Sequence, residues 1–317
     1  MIAPICKHEK LSKHGKDRKG QQRWKCGCCG ITVVRDEHVR PLGDMRLEFS
    51  KAVQVLKMLL EGMSIRAAER ITGVNKDTIC DLVLHVGQNA DRFMLETVRN
   101  VEAKTIEMDE IWGFVGCKAR TATIKAHGPE MGDAWTWLAI DADTKLILAN
   151  ATGKRDESTA SRFLSRLNNA TIGRCQVTSD GLGLYTHSVP LAMGSRVDFA
   201  QLVKSYKSTQ VENRYSPAAI SGIEKTVRFG QPDEAKISTS YSERYNLSVR
   251  MHNRRMTRLT NAHSKKPQHH SAMMNLWIAF YNFCRKHETL KGVSPAMAAK
   301  LTEKVWTLEE LLRQMVK

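Results

Sequence analysis

The spacing of apolar positions changes near residue 104, and this change separates a helical segment from a segment of strands. From Phe49 to about residue 100, apolar residues recur at steps of three and four, which is the period of an amphipathic helix. After that point, short apolar and β-branched runs predict strands, with one helix over 156–168. The predicted strands cover 104–113, 134–141, 145–151 and 176–179.

Two breaks divide the first segment into three helices. Ser64 can cap a short helix over 65–71, and Asn75, after a glycine-containing turn, can cap a longer one. This layout is typical of a helix-turn-helix, although a plain helical bundle has the same periodicity. In a helix-turn-helix, Asn75, Lys76 and Thr78 would lie at the front of the recognition helix and contact DNA bases.

Three acidic residues lie in short sequence segments of the kind that supply metal ligands for phosphodiester chemistry. Asp109 and Asp180 lie in or at the end of strand-like runs, and Glu243 lies near the start of a helix-like segment. Two Mg²⁺ ions roughly 3.5–4 Å apart can clamp the attacking and leaving oxygens at phosphorus, and a few carboxylates suffice to hold them. Because seven residues complete about two helical turns, Arg250 would point the same way as Glu243 and meet a DNA phosphate.

Each acid also has a structural alternative. Asp109 and Glu110 are adjacent and face opposite ways in a strand, so one of them could be solvated surface. Asp180 could belong to a simple turn, and Glu243 could be an ordinary first-turn helix acid. The nearest rivals, Asp141 and Asp143, lie between two apolar runs and predict a hairpin turn.

Composition points to a polyanionic partner. The 317 residues suffice for two or three small domains, and 49 Lys and Arg against 33 Asp and Glu give a formal net charge of +16. No stretch approaches the roughly 20 apolar residues of a membrane-spanning helix, and the N-terminus lacks the apolar run of a signal peptide. We therefore expect no membrane partner and a cytoplasmic, nucleoid-associated protein with reduced cysteines.

Cysteine spacing near the N-terminus predicts a structural zinc site. Cys26 and Cys29 form a C-x2-C step, at which a tight turn offers two thiolates to one zinc, and Cys6 lies upstream at the distance of a partner knuckle. An acid occupies the position that would complete the first C-x2-C. His8 is the expected fourth ligand, with His14 as the alternative, and the alternative to zinc is a disordered basic arm.

Two basic segments are candidates for DNA contact. Eight Lys or Arg residues lie between positions 7 and 25, and 244–287 contains no acidic residue. Phosphate-contacting side chains are expected in both segments. The candidates are Lys19, Arg23, Trp24, Arg254, Arg255 and Arg258.

The end of the chain is predicted to be helical. The apolar spacing over 269–287 indicates an amphipathic helix. Pro295 suits the first position of a short helix, and Thr307 with Glu310 makes a capping box for a last one.

These elements predict a mixed α/β protein with four parts. Their order is that of an RNase H-like (retroviral-integrase-like) fold: three strands, a helix, a strand carrying the second Asp, and a late helix carrying the Glu. The strand ends of such a fold suit a carboxylate cluster. The parts are a zinc-ribbon-like DNA-binding module over 1–42, a helix-turn-helix domain over 45–100, a catalytic domain over 104–262 and a helical tail over 263–317.

Several short sequence motifs resemble those of a known family. They are GQQRWKC at 20–26, MDEIW at 108–112, TSDG at 178–181, SERYNL at 242–247, and YNF at 281–283 leading to SPAMAA at 294–299. With them the chain resembles bacterial insertion-sequence transposases of the DDE superfamily, in the insertion sequence one branch. The resemblance implies an N-terminal zinc-binding and helix-turn-helix region followed by an RNase H-like catalytic domain.

The resemblance also implies the activity and its partners. It implies Mg²⁺-dependent cleavage, with Mn²⁺ as a possible substitute, that frees a 3′-hydroxyl at the element's ends, and this hydroxyl then attacks target DNA. The expected partners are double-stranded DNA, as terminal inverted repeats and as target, and further copies of the chain in a dimer or higher oligomer. Two alternatives stay open: a catalytically decayed, transposase-derived DNA-binding regulator, and an RNase H-fold nuclease without strand transfer.

Overall fold

The computed structural model describes residues 10–16, 22–34, 41–206, 220–258 and 260–316. The described residues before position 35 form one compact unit, and those from 41 onward form a second. Cys6, His8 and Lys19, which the sequence singles out, lie outside the described residues. Among the helices that the structure describes, none is long and apolar enough to cross a membrane.

The first unit is a three-stranded antiparallel sheet. Its strands are β1 (Leu11–Lys16), β2 (Gln22–Cys26) and β3 (Thr32–Val34), in the order β1-β2-β3. Between β2 and β3 the chain turns tightly, and the backbone N–H of Gly30 donates to the carbonyl of Cys26 at 2.9 Å. Gly30 has a φ of 73°, a left-handed conformation that glycine adopts without steric cost.

The second unit begins with three helices, as the apolar spacing predicts. They are α1 (Phe49–Leu60), α2 (Ile65–Thr72) and α3 (Lys76–Thr97). The Ser64 side chain accepts a hydrogen bond from the first turn of α2, and the Asn75 side chain accepts one from the first turn of α3. Both predicted caps are confirmed, and each satisfies a backbone N–H that has no partner inside its helix.

A mixed six-stranded sheet forms the centre of the second unit, with strand order β6-β5-β4-β7-β8-β9. β4 pairs antiparallel with β5 and parallel with β7, and β7 pairs parallel with β8. The strands are β4 (Thr105–Val115), β5 (Gly132–Asp141), β6 (Ile147–Gly153), β7 (Cys175–Ser179), β8 (Val197–Tyr206) and β9 (Ile220–Phe229).

Helices cover both faces of this sheet. Glu107 and Glu110 of β4 are an odd number of residues apart and therefore lie on opposite faces. The first accepts hydrogen bonds from α7 and the second from α6, so these two helices flank the sheet. The helices are α4 (Ala119–Ile124), α5 (Glu157–Ala170), α6 (Leu184–Met193), α7 (Ser240–His252), α8 (Pro267–Phe283), α9 (Pro295–Ala298) and α10 (Leu308–Gln314).

One hydrophobic core joins these elements. Leu56 of α1, Trp137 of β5, Trp277 of α8 and Leu311 of α10 belong to the same cluster of buried side chains. The predicted capping box of Thr307 is present at the start of α10. The prediction of a mixed α/β architecture is confirmed, and the C-terminal helices contribute to the same core as the sheet.

The loop between β5 and β6 matches its predicted role. Asp141 accepts backbone N–H groups from Asp143 at 3.3 Å and from Thr144 at 3.2 Å. An aspartate that satisfies the backbone two and three residues ahead is a turn-forming residue. The Asp141 carboxylate therefore stabilises the hairpin turn, and Asp141 is not an alternative to the acids of the predicted metal site.

Candidate functional site

Parallel pairing of β4 and β7 brings two predicted acids together. Met108 lies opposite Ser179 in the register, so the next residues along the two strands are Asp109 and Asp180. Carboxylate oxygens of Asp109, Glu110 and Asp180 lie within 4.8 Å of one another. We call these three residues the carboxylate cluster.

Negative charge accumulates in the carboxylate cluster. The pKa of Asp109 is raised to about 7, first by burial and then by the charges of Glu110, Asp180 and Glu243, although the backbone N–H of Glu110 opposes the rise. The pKa of Glu110 is raised to about 6, mainly by burial and by the charge of Asp180. A bound cation would relieve this repulsion and favour the ionised carboxylates.

Glu110 belongs to the site, although the sequence analysis did not include it among the predicted metal ligands. It is only 7% exposed and Asp109 is half-buried, so the possibility that one acid of the pair is solvated surface is wrong. Arg155 donates to Glu110 at 2.8 Å and lies 3.5 Å from Asp180, and its guanidinium stacks over the Trp135 ring. The only sequence signal for Glu110 was its adjacency to Asp109.

Tyr185 completes the surroundings of Glu110. Its fully buried hydroxyl, on α6, donates a hydrogen bond to Glu110 Oε1. Burial and the neighbouring carboxylates raise the pKa of Tyr185 well above its ordinary value, so the phenol stays protonated as a donor. Both carboxylate oxygens of Glu110 therefore have protein partners, one from Tyr185 and one from Arg155.

Glu243 lies close to the carboxylate cluster but outside it. Its Oε1 accepts hydrogen bonds from the Lys204 ammonium of β8 and from the Thr239 hydroxyl, the latter at 2.8 Å. Its charge still contributes to the raised pKa of Asp109. The structure thus brings all three predicted acids into one neighbourhood, with Glu243 held by a lysine.

Asn246 links the helix of Glu243 to the first aspartate. It lies three residues after Glu243, on the same side of α7. Its side-chain amide donates to Asp109 Oδ2 at 2.6 Å. Sequence reasoning did not single out Asn246, although it stands in the same short string as Glu243.

Glu107 fixes the position of α7 on the sheet. Its buried carboxylate accepts the backbone N–H groups of Tyr241 at 2.8 Å and Ser242 at 2.9 Å. These donors belong to the first turn of α7 and have no partner inside the helix. Because Glu107 lies two residues before Asp109 on one face of β4, this contact aligns Asn246 with Asp109.

Arg250 lies further along α7 and binds backbone carbonyls. Its Nη1 donates to Met256 at 2.9 Å and its Nη2 to Trp112 at 3.5 Å. Burial lowers the pKa of Arg250, and the charge of Arg258 adds to this effect. These contacts tie the segment after α7 to β4, and the predicted contact of Arg250 with a DNA phosphate stays a prediction.

The residues predicted to contact DNA bases lie at the start of α3. Asn75 and Lys76 are exposed and Thr78 is half-buried. The Asn75 side chain caps the helix through the N–H of Asp77 at 2.8 Å, and Lys76 lies 3.3 Å from the Asp77 carboxylate. Lys76 also lines one groove together with Arg254, Arg255 and Arg258.

The first unit contains part of the predicted zinc site. Cys26 is buried at the end of β2, and the backbone N–H of Cys28 lies 3.4 Å from its Sγ in the turn that leads to Cys29. Arg23 and Trp24 lie half-buried on β2. Cys6 and His8 lie outside the described residues, so the zinc site stays a prediction.

Comparison with known proteins finds similarity in the central segment of the chain. Residues 103–204 match the family model described as IS1 transposase. The chain is also 36% identical over 84 residues to the insertion element iso-IS1n protein InsB of Shigella dysenteriae. The resemblance to IS1-type transposases is confirmed.

The alignments with InsB and with a solved transposase structure each cover only part of the two proteins compared. The InsB alignment covers 26% of this chain and 53% of InsB, so the chain spans about half the length of this relative. The solved piggyBac transposase synaptic complex with hairpin DNA is similar over 84% of this chain and 69% of that chain, at 10% identity and a TM-score of 0.37. That level of similarity supports no statement about shared function.

The segment that matches IS1 transposases contains the carboxylate cluster. It includes Asp109, Glu110, Asp180 and their partner Arg155, and it ends at residue 204, before Glu243. The carboxylate cluster therefore lies in the part of the chain that matches the family model.

Proposed function

We propose that this protein is a DDE transposase that cuts and joins DNA at the terminal inverted repeats of an insertion sequence. The observation that carries the proposal is the juxtaposition of Asp109, within β4, and Asp180, directly after the parallel strand β7, inside the segment that matches the IS1 transposase family model. Carboxylates held in this way on rigid strands suit metal-assisted displacement at phosphorus.

The carboxylate cluster fits Mg²⁺ as its metal. Its donors are all carboxylate oxygens, the hard ligands that Mg²⁺ prefers, and Mn²⁺ accepts the same donors. The raised pKa of Asp109 supports a cation at this point, because positive charge would offset the crowded carboxylates. When bound, such ions supply charge stabilisation at the phosphate and a more nucleophilic attacking oxygen.

We assign Asp109, Asp180 and Glu243 as the metal ligands, with two ions as in a DDE mechanism. Glu243 would join the metal site through its carboxylate, of which Oε1 accepts from Lys204 and Thr239. Glu110 shares the cluster, but its two oxygens are occupied by Tyr185 and Arg155, which suits a supporting role.

Neighbouring residues would hold these ligands in place. Asn246 would orient the Asp109 carboxylate, and Glu107 would fix the helix that carries Glu243 and Asn246. Arg155 would keep the Glu110 and Asp180 side chains together. Arg250 would act near the metal ligands, with a DNA phosphate as its further partner.

The rest of the chain would recognise DNA. We assign the mixed sheet with helices on both faces to an RNase H-like catalytic domain over 104–262, α1 to α3 to a helix-turn-helix domain over 45–100, and 263–317 to a helical tail. Asn75, Lys76 and Thr78 would read bases of the inverted repeats, while Arg254, Arg255 and Arg258 would hold phosphates. Two or more copies would act together in the cytoplasm at the nucleoid.

We also assign residues 1–42 to a zinc-ribbon-like module with Cys6, His8, Cys26 and Cys29 as ligands. The turn that presents Cys26 and Cys29 supports this assignment. Metal analysis of the purified full chain should find about one zinc per molecule, and Cys26→Ser should lose it. Absence of zinc from the wild-type protein would reject the assignment of a zinc site.

One reconstituted reaction tests the proposed function. The full chain, Mg²⁺, a labelled duplex that carries the flanking inverted repeat and a target plasmid should give 3′-hydroxyl ends that become joined to the plasmid. Cleavage without joining would assign a nuclease of the same fold. Specific binding without cleavage would assign a DNA-binding regulator.

A further inference from the structure

Strand β9 forms one edge of the six-stranded sheet and has little cover. It pairs with β8 on one side, and no other strand in the described part of the chain pairs with it. All of its residues except Thr226 are exposed, and four of them are large and apolar. These four are Ile220, Ile223, Val227 and Phe229, with exposed fractions between 39% and 59%. Such an edge offers a row of backbone N–H and C=O groups to another strand.

The first half of β9 extends past the body of the sheet. β7 pairs with β8 only as far as Gln201, whereas β8 continues to pair with β9 from Leu202 to Tyr206. Among the described helices and strands, only β8 packs extensively against β9. These elements therefore leave the outer edge of β9 open to a further strand.

Opposite charges lie on one face of β9. Thr226 lies opposite Gln201 of β8, and strand alternation puts Glu224 on the same face as Thr226. Arg228 Nε donates to Gln201 Oε1 at 2.8 Å, so the Arg228 side chain lies on that face as well. Glu224 and Arg228 are both exposed, and neither forms an ion pair with another described residue.

This charge pattern complements a second copy of the same strand. When two identical strands pair antiparallel about a twofold axis, the residue at the axis lies opposite itself. Glu224 or Lys225 at the axis would put like charges opposite each other, which destabilises a sheet. Thr226 at the axis instead puts Glu224 opposite Arg228 of the partner subunit, and Arg228 opposite Glu224 of the partner subunit.

The same register also covers apolar side chains on the other face. Ile223 and Val227 lie opposite Lys204 and Ala200 of β8, on the face away from the charged pair. With Thr226 at the axis, Val227 lies opposite Lys225 of the partner subunit, whose methylene stem covers it. Ile223 becomes a diagonal neighbour of Val227 of the partner subunit.

We infer that the outer edge of β9 pairs antiparallel with β9 of a second copy of this chain, with Thr226 at the twofold axis. The two central sheets then form one continuous sheet, and the dimer forms without DNA. The occupant is a second copy because the charges of β9 complement those of an identical strand. The proposed function expects several copies to act together, and the inference names the surface that joins two of them.

Charge exchange tests the pairing. Sedimentation equilibrium of the full chain, without DNA or Mg²⁺, compares wild type with Glu224→Arg, Arg228→Glu and the double variant. Each single change places like charges opposite each other at two points of the interface and should weaken the dimer roughly tenfold or more. The double variant restores both pairs and should recover the dimer. Glu102→Arg, an exposed acid outside the sheet with the same change of charge, is the control and should stay dimeric.

Recovery in the double variant separates loss of the interface from local damage. Arg228→Glu also loses the hydrogen bond to Gln201, and the double variant does not restore that bond. Thermal unfolding of each variant checks the fold. If Arg228→Glu unfolds at a lower temperature than wild type, Glu224→Arg and the double variant decide the outcome.

Cysteine trapping determines the register. A residue at the twofold axis lies beside its own copy, so Thr226→Cys should form an intermolecular disulfide on mild oxidation. The reference is wild type under the same oxidant, because the chain has eight cysteines of its own. Lys225→Cys and Glu224→Cys are matched controls on the same strand and should not form this bond, because each lies opposite a different residue. Peptide mapping identifies the linked positions.

Three results would overturn the inference. They are a monomeric wild type, no recovery in the double variant, and a disulfide in Lys225→Cys or Glu224→Cys in place of Thr226→Cys. The proposed function is judged separately by cleavage and joining. A β9 dimer with no cleavage would support the inference and reject the transposase activity, whereas cleavage and joining by a chain that is monomeric without DNA would reject the β9 pairing alone.

Discussion

Asp109 is held by two hydrogen bonds of different origin. Its Oδ1 accepts the backbone N–H of Glu110 at 2.7 Å, and its Oδ2 accepts the Asn246 amide at 2.6 Å. The first contact belongs to the strand itself, and the second arrives from a helix 137 residues away in sequence. A metal ligand oriented from outside its own strand depends on that second residue.

Removal of Asn246 tests this dependence. Asn246→Ala should reduce Mg²⁺-dependent cleavage about 10- to 100-fold and raise the Mg²⁺ concentration needed for half-maximal rate, because the Asp109 carboxylate loses its orienting donor. DNA affinity should stay unchanged. Ser248→Ala, which removes a hydroxyl that donates to the Arg244 carbonyl within the same helix, is the control. An unchanged Mg²⁺ requirement in Asn246→Ala would contradict the positioning role.

The burial of His270 makes the free energy of unfolding depend on pH. It is fully buried on α8, with Ser264 near its Nδ1 and Arg255 nearby, and its pKa is lowered to about 4, first by burial and then by the Arg255 charge. An unfolded histidine titrates near 6.5, so between these values the unfolded chain binds more protons than the folded one. The stability that neutral His270 provides is present above the unfolded pKa and is lost as pH falls.

Urea unfolding at two pH values measures this effect. Between about pH 7 and pH 5, wild type should lose about 2 kcal/mol more of its free energy of unfolding than His270→Gln, which cannot titrate. His287, whose pKa is also lowered, is present in both proteins and cancels in the difference. Equal pH dependence of the two proteins would exclude His270 as the source.

At the scale of elements, the site depends on how α7 sits on β4. Both elements could be predicted from the sequence, since each has a clear apolar pattern. Their contact could not, because Glu107 and Tyr241 are 134 residues apart and nothing in either string marks the pairing. Glu110 was missed for the same reason: its burial depends on Tyr185 of α6 and Arg155, which lie far from it in sequence.

Glu107 should be important for stability as well as for the site. Glu107→Ala leaves two N–H groups at the start of α7 without an acceptor, and we expect a loss of about 1–3 kcal/mol in the free energy of unfolding. Glu107→Gln keeps a carbonyl acceptor and should retain most of that stability. Urea denaturation compares the three proteins. An alanine variant as stable as wild type would show that α7 is positioned by its packing alone.

At the scale of the whole molecule, residues 185–240 have the weakest sequence pattern, because short apolar runs alternate there with Gly, Pro and Ser. The described residues of this region form α6, β8, β9 and the segment before α7. Strand alternation is a clear signal only when one face is buried, and β9 is exposed along nearly its whole length. By contrast, β4 to β7 are largely buried strands, and their positions were predicted correctly because apolar runs frame them.

The central claim is that one carboxylate site carries out metal-dependent DNA cleavage. The most direct test compares Asp180→Ala with Asp143→Ala, an exposed acid in the β5–β6 turn, in Mg²⁺-dependent cleavage of the inverted-repeat duplex. We predict that Asp180→Ala, like Asp109→Ala and Glu243→Ala, gives no product above background while still binding the repeat. Asp143→Ala should cleave at the wild-type rate. Substantial cleavage by Asp180→Ala would contradict the account.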